Sequence, residues 1–249
     1  MRTVTGQGDL QGLWQRAWLK SPVSDPTLQD HTTRVFWAQA GALYADLRIP
    51  LKRDLPDAAT CLADLDPPAL RRLMAAEGFA GTITVEDDVC TWTREINWHG
   101  APAGIDAGRV WFDETGALIE EGVQADYREL WERRTTAPLV AYRVTSGDLS
   151  GILVTSGTLF LLGLGRADAP STATLFLDLD LDAGAIPDAL PALFATEYAF
   201  GHWEDGRGIA ELCTNPFREG QCVLERTPDG WLRHHADFDG SLRVTPLRT

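Results

Sequence analysis

From Leu43 to Ile49 the chain alternates without a break, with Leu43, Ala45, Leu47 and Ile49 on one side and Tyr44, Asp46 and Arg48 on the other. A period of two is that of a β-strand, whose successive side chains point to opposite faces. Similar short alternations return along most of the chain, separated by glycine and aspartate. RVFWAQAGALYADLRIP predicts two strands broken near Gly41, and FAGTITVEDDVCTWTREINW a hairpin turned at residues 86–88. VWFDETGALIEEG and VLERTPDGWLRHH predict two more, turned at residues 113–116 and 228–230. Helical punctuation is confined to two places. In DPPALRRLMAAEGFAG, Asp66 can cap, Pro67 can take the first helical position, Leu70, Leu73 and Met74 form the apolar stripe, and Gly78 ends it. In PDALPALFATEYAFG, Asp188 and Pro191 precede Leu193 and Phe194 in the same way.

Some stretches recur. LWQR at residues 13–16 returns as LWER at 130–133, with Trp14 and Trp131 offset by 117. MAAEGFAG lies over FATEYAFG, matching Ala75 to Ala195, Glu77 to Glu197 and Gly81 to Gly201 at an offset of 120. Pro50 falls on Pro170 and Cys90 on Cys213 at offsets of 120 and 123. The shared order predicts one fold written twice, as domains 1–128 and 129–249. Each would hold about eight strands, enough for a small closed antiparallel barrel, with a short helix after the third or fourth. The expected class is therefore mostly β, as two tandem barrels; a single decorated sandwich is the competitor.

GLW in a first strand, followed by a barrel's worth of hairpins, resembles the calycin superfamily, which includes the lipocalins. The fuller run LWQRAW … VFWAQAGALYADLRIP … GFAGTITVEDDVCTWTREI … EEGVQADYRELWER is similar to two-barrel, lipocalin-like proteins of bacteria and fungi. The resemblance implies a fold and carries no established reaction and no agreed binding residues. The usual later lipocalin motifs are missing, and so is the glycine-rich continuation of haem-binding relatives.

The composition, 44% hydrophobic and 23% charged, is that of a globular chain. Net charge is −14 and is spread along the chain, residues 1–134 carrying 14 basic and 21 acidic side chains and residues 135–249 carrying 8 and 15. A phosphate backbone needs a basic stripe, so nucleic acid is not an expected partner. The N-terminus has no charged and apolar leader pattern, and the apolar run SGILVTSGTLFLLGLG is too short and broken to span a bilayer. The expectation is a soluble, cytoplasmic protein whose four cysteines are reduced, a Cys213–Cys222 bridge being the alternative.

LYADLRIP carries the most suggestive chemistry. A Tyr44–Asp46–Arg48 row turned into a barrel would orient an anionic or phenolic ligand, Asp46 fixing the guanidinium. A packed interior favours the reverse, with the apolar row in and the polar row in water. In CTWTREINW, Cys90, Trp92, Arg94 and Ile96 share a face, as a pocket lining or as an arginine stem over an exposed indole. YRELWER places Tyr127, Glu129 and Trp131 in one row. The candidate ligand-binding set is Trp14, Trp37, Tyr44, Asp46, Arg48, Trp92, Arg94 and Glu129. Convergence of Tyr44, Arg48, Arg94 and Glu129 would permit acid–base chemistry, with no catalytic residue assigned.

LFLDLDLDAG fails as a calcium loop: its glycine comes one place late and Ala189 stands where the final glutamate belongs. The five histidines offer no metal-binding spacing, and no GxSxG, Walker A or GxGxxG run is present. No metal and no cofactor is expected. The sequence thus points to a small, partly apolar ligand in the first barrel, anionic ones included. An enzyme using the same cavity and a ligand-free interaction module are the alternatives.

Overall fold

In the computed structural model, residues 2–25, 29–100, 104–135, 137–167, 169 and 189–249 are described. The first sheet is built from β1 (Arg2–Thr3), β2 (Gly12–Lys20), β3 (Gln29–Asp30), β4 (Thr33–Ala40), β5 (Leu43–Pro50), β6 (Glu77–Glu86), β7 (Val89–Asn97), β8 (Asp106–Phe112), β9 (Leu118–Gly122) and β10 (Arg128–Thr135). Eight of them close on themselves in the order β2-β4-β5-β6-β7-β8-β9-β10, with β10 returning to β2; β1 and β3 are short additions. The second sheet runs in chain order through β11 (Val140–Ser146), β12 (Leu149–Thr155), β13 (Leu159–Gly165), β14 (Glu197–Glu204), β15 (Arg207–Cys213), β16 (Cys222–Thr227), β17 (Gly230–Ala236) and β18 (Leu242–Leu247). Its ends meet through a bridge between Thr145 and Arg248, whose amides exchange hydrogen bonds of 2.8 and 2.9 Å. The chain is mostly β, as two eight-stranded antiparallel barrels.

Each barrel has three strands, a connection carrying a short helix, then five strands. Among the described residues the α-helices are α1 (Pro67–Leu73) and α2 (Ala189–Leu193). Asp66 caps α1 by accepting a 2.8 Å hydrogen bond from the Ala69 amide, and Pro67 stands at its first position. The helix stops at Leu73, earlier than the expected Gly78, because β6 already begins at Glu77. Asp188 and Pro170, and the run 175–184 with its three aspartates, lie outside the described residues.

The repeated MAAEGFAG and FATEYAFG carry a shared device. Strand register slips at Gly81 and again at Gly201, leaving Glu95 and Glu211 as the extra residues on β7 and β15. A Cβ at either glycine would lie 1.9 Å from a facing carbonyl oxygen, that of Thr93 or of Ile209, so only glycine fits the bulge. The bulge also reverses which face follows. Arg94 points into the first barrel, whereas Ile96 joins the apolar layer between the barrels, correcting the expectation that Cys90, Trp92, Arg94 and Ile96 share one face.

LWQR and LWER do not belong to this repetition. Both lie in the first barrel, on the adjacent strands β2 and β10, paired antiparallel so that Trp14 faces Arg133, Gln15 faces Glu132 and Arg16 faces Trp131. They form the seam that closes one barrel rather than the openings of two. The expected division at 128/129 moves accordingly: β10 lies wholly in the first barrel, and the chain crosses between Thr135 and Val140. Cys90 and Cys213 are not counterparts either, since Cys90 faces Val85 at the start of β7 and Cys213 faces Ala199 at the end of β15. All four cysteines are free thiols.

The barrels pack side by side. Ala45, Leu47 and Ile49 on the outer face of β5 join α1, Ile152, Val154, Leu161 and Phe200 in one buried cluster. Phe36 stacks on Phe200 with ring centroids 4.3 Å apart. Gly78 makes room for its counterpart Tyr198, whose ring would lie 2.5 Å from a Cβ at that position. Burying this apolar layer is the main stabilising contribution of the contact. Among the described residues, no helix is long and apolar enough to cross a membrane.

Candidate functional site

One end of the first barrel is filled. Val4 and Leu10, carried by the N-terminal segment, pack with Trp14, Ile83, Cys90, Val110, Phe112 and Leu118. Above this plug the interior opens into a cavity of about 240 Å³. Two glycines help to make the room. A Cβ at Gly108 would come 2.8 Å from the Glu120 side chain, and one at Gly122 would come 2.5 Å from the Tyr127 ring. Without them neither side chain could turn inward.

All eight strands of the closed barrel contribute to the wall, β2 through Leu19. Trp37 comes from β4, Asp46 and Arg48 from β5, Phe79 from β6, Trp92 and Arg94 from β7, Asp106 from β8, Glu120 from β9, and Glu129 and Trp131 from β10; Tyr127 stands just before β10. The polar row of LYADLRIP therefore points in, opposite to what a packed interior favours. The reason lies outside the barrel: the apolar row of β5 is covered by the second barrel, so both faces of the strand are sheltered from water.

Six of the eight candidate binding residues meet here: Trp37, Asp46, Arg48, Trp92, Arg94 and Glu129. Trp14 and Tyr44 do not line the space. Trp14 stacks on Trp37 at 6.2 Å within the plug and donates its indole N–H to the Leu10 carbonyl at 2.8 Å, while Tyr44 lies edge-on to Phe79. Sequence reasoning missed Arg16, Phe79, Asp106 and Glu120 as members of the site. Arg16 was signalled by its place two residues beyond Trp14 on the same face.

The charges are paired in layers. Arg16, itself buried, donates to Glu129 Oε1 at 2.7 Å and to Asp30 at 2.6 Å. Arg48 Nε donates to Asp46 at 2.9 Å, and its Nη1 lies 3.7 Å from Glu129. Arg94 donates to Asp106 from Nε at 2.8 Å and from Nη2 at 2.7 Å, and its guanidinium lies 3.6 Å from the centroid of the Phe79 ring. The side chains of Arg48, Arg94 and Asp106 are each about one-fifth exposed, so water reaches the cavity at their level.

Glu120 and Glu129 face each other directly across the β9–β10 ladder. Burial, and then the neighbouring Glu129, push the Glu120 carboxyl up to about 8, against the opposing pull of Tyr127 and Arg48. Its oxygens accept hydrogen bonds from the Tyr127 hydroxyl at 2.7 Å and the Trp131 indole at 3.1 Å. Burial likewise raises Asp46 to about 6, with Arg48 opposing. Two carboxyls that change state near neutral pH thus share one water-accessible space with three indoles. Among the described residues no group of three His, Cys, Asp or Glu side chains is placed to hold a metal ion.

The second barrel has a cavity of its own at one end, about 350 Å³, bordered by Phe194, Phe238, His235 and a buried Glu197–Arg233 pair at 3.2 Å. Its interior proper is an apolar core of Leu153, Phe160, Leu162, Leu164, Val223 and their neighbours. Among the described residues, the first barrel sets indoles from its own strands beside ionisable groups, whereas the aromatic rings of the second cavity, Phe194 and Phe238, come from outside the strands.

No protein-family model matches the sequence, and no curated protein matches it. The chain is similar in structure to the uncharacterized protein YLR301w of Saccharomyces cerevisiae, with a TM-score of 0.52 at 13% sequence identity, over 95% of this chain and 98% of that one. At that identity the likeness is one of fold: this chain shares its architecture with the yeast protein from end to end.

Proposed function

We propose that the chain is a lipocalin-like two-barrel binding protein whose first barrel holds one small, partly apolar molecule. Trp37, Trp92 and Trp131 receive the apolar body, and the charged groups of Asp46, Arg48, Arg94 and Glu129 orient the polar end. The observation that carries this reading is the open space of about 240 Å³ inside a closed barrel, walled by indoles and buried ion pairs where a structural core would have aliphatic side chains. Drug-sized ligands occupy roughly 300–1,000 Å³, so the occupant is smaller than these. The open space also speaks against a purely structural module, whose interior would be filled. Free thiols are in keeping with the cytoplasmic setting expected from the sequence.

Native mass spectrometry of protein purified from its own host tests the reading. A retained small molecule that quenches tryptophan fluorescence on rebinding, and fails to do so in Arg48→Ala, supports it. A chain that arrives empty and gives no quenching with any small apolar acid, alcohol or amine contradicts it.

A second reading, an enzyme in the same cavity, is favoured by one observation: Glu120 and Asp46 exchange protons at about 8 and about 6, as an acid–base pair working near neutral pH would. Turnover of the bound molecule, abolished in Glu120→Gln, separates it from simple binding.

A further inference from the structure

Four carboxyl groups, those of Asp46, Asp106, Glu120 and Glu129, face two guanidinium groups, those of Arg48 and Arg94, in the cavity wall. Neither guanidinium is free. Arg48 is held by Asp46 and Arg94 by Asp106, and both lie over the Phe79 ring, 4.9 and 3.6 Å from its centroid. An incoming anion would have to break one of these pairs.

Glu129 is the opposite case. Arg16 reaches only its Oε1, the other arm of that guanidinium being spent on Asp30. Oε2 has no hydrogen-bond partner although the side chain is only 2% exposed. A buried acceptor left without a donor destabilises the structure that holds it. Two cavity-lining residues thus carry an unpartnered polar atom: Glu129 Oε2, which lacks a donor, and the Trp37 indole N–H, which lacks an acceptor. Around the same space stand three indoles in different planes, Trp37 lying at 73° to Trp92 and 75° to Trp131, with ring centroids 5.8 Å apart in each pair. Indole faces attract cations, most strongly where water is excluded.

We infer that the occupant is a small organic cation, a protonated amine on an apolar body, whose N–H groups bond the unpartnered oxygen of Glu129 while the body lies among Trp37, Trp92 and Trp131. The inference rests on reading the first barrel as a binding site and names the chemistry of its ligand. A neutral alcohol would supply a donor but carry no charge to complement the Glu129 carboxyl group or the indole faces. A cation beside Glu120 also favours the ionised form of that carboxyl. The groups facing Glu120 are Glu129, Asp106, Cys90, Arg48, Tyr127 and Trp131. Of these, Arg48 carries positive charge and is already engaged by Asp46; Arg94 and Arg16, the neighbouring guanidinium groups, are engaged by Asp106 and by Glu129 with Asp30. Binding of the cation therefore expels the Glu120 proton.

The test uses three probes of similar body and different head: phenethylamine, 2-phenylethanol and 3-phenylpropionate. Each is titrated into the full chain near neutral pH, by tryptophan fluorescence and by calorimetry in two buffers of unlike ionisation heat. The amine is expected to bind at least about tenfold more tightly than the alcohol, and the acid not to saturate. Glu129→Gln is expected to weaken the amine by about tenfold or more and leave the alcohol within about threefold. Glu120→Gln, whose amide can serve both Tyr127 and Trp131, is expected to fold and to remove the buffer dependence of the amine's binding heat; it carries the test should Glu129→Gln not fold. Alcohol or acid binding as tightly as the amine overturns this inference and leaves the binding site standing. Silence from all three probes overturns the inference and the binding reading together.

Discussion

Arg133 lies over Trp14, its guanidinium carbon 4.3 Å from the centroid of the indole. The same side chain donates to the backbone carbonyls of Gln11 at 2.7 Å and Asp9 at 2.9 Å. One residue of β10 thus ties together the first long strand, the last strand and the N-terminal turn that fills the end of the barrel.

Arg133→Met keeps the stem over Trp14 and removes the donor fork. It is expected to cost about 1–2 kcal/mol, the cation–π attraction and two charge-assisted bonds being partly exposed. Urea denaturation followed by fluorescence measures it. A change under about 0.5 kcal/mol would mean that the seam holds without the fork.

Gly81→Ala and Gly201→Ala place a Cβ where a carbonyl oxygen stands 1.9 Å away. Since that atom is backbone, relief requires the bulge itself to move. Each variant is expected to lose more than about 2 kcal/mol. Gly157→Ala, at an exposed position with nothing within 4 Å, serves as the near-neutral control. Thermal melts of the three variants that agree to within a degree or so would remove the bulges from the list of structural necessities.

Stability should fall as pH rises through neutrality. Glu120 ionises at about 8 in the folded chain against 4.5 when unburied, so between those values the folded state holds a proton that the unfolded state has lost. The contribution is fully present below 4.5 and is lost toward about pH 8, at up to about 1.4 kcal/mol for each pH unit. Asp46 adds the same sign between 3.8 and about 6. Carboxylates held low, Asp9 and Asp30 among them, act only at more acid pH. Melting temperature is expected to drop between about pH 4.5 and about pH 8, and Glu120→Gln to flatten the drop. Equal slopes for both proteins would contradict the assignment.

Phe36 and Phe200 stack between the barrels. A double-mutant cycle to leucine is expected to return a coupling of about 0.5–1.5 kcal/mol, the value for aromatic pairs beyond their buried area. Additive single variants would show that the two rings meet without stabilising the contact.

Much of this arrangement was legible in the sequence, and the limits have physical causes. The turns at Gly41, 86–88, 113–116 and 228–230, the cap at Asp66 and the offset that joins Gly81 to Gly201 follow from local chemistry, which travels with the residues. The inward face of β5 does not. Its alternation separates two rows, but both rows are buried, one by the cavity and one by the second barrel, and periodicity cannot say which cover is which. Glu120 was hidden for a similar reason: it is followed by Glu121, and the pair reads the same whichever member turns in. LWQR and LWER misled because an antiparallel seam between like strands brings similar residues face to face, as a duplication brings them into line.

The doubly covered strand β5 has a consequence for the chain as a whole. A fragment cut after Thr135 would keep every strand of the first closed sheet and still present Ala45, Leu47 and Ile49 to water along one side. Such a half is a complete circle with a sticky flank, prone to associate with its own kind. What divides cleanly on the page of secondary structure is therefore indivisible as a material object, and the neighbour works as the outer skin of the wall that carries Asp46 and Arg48.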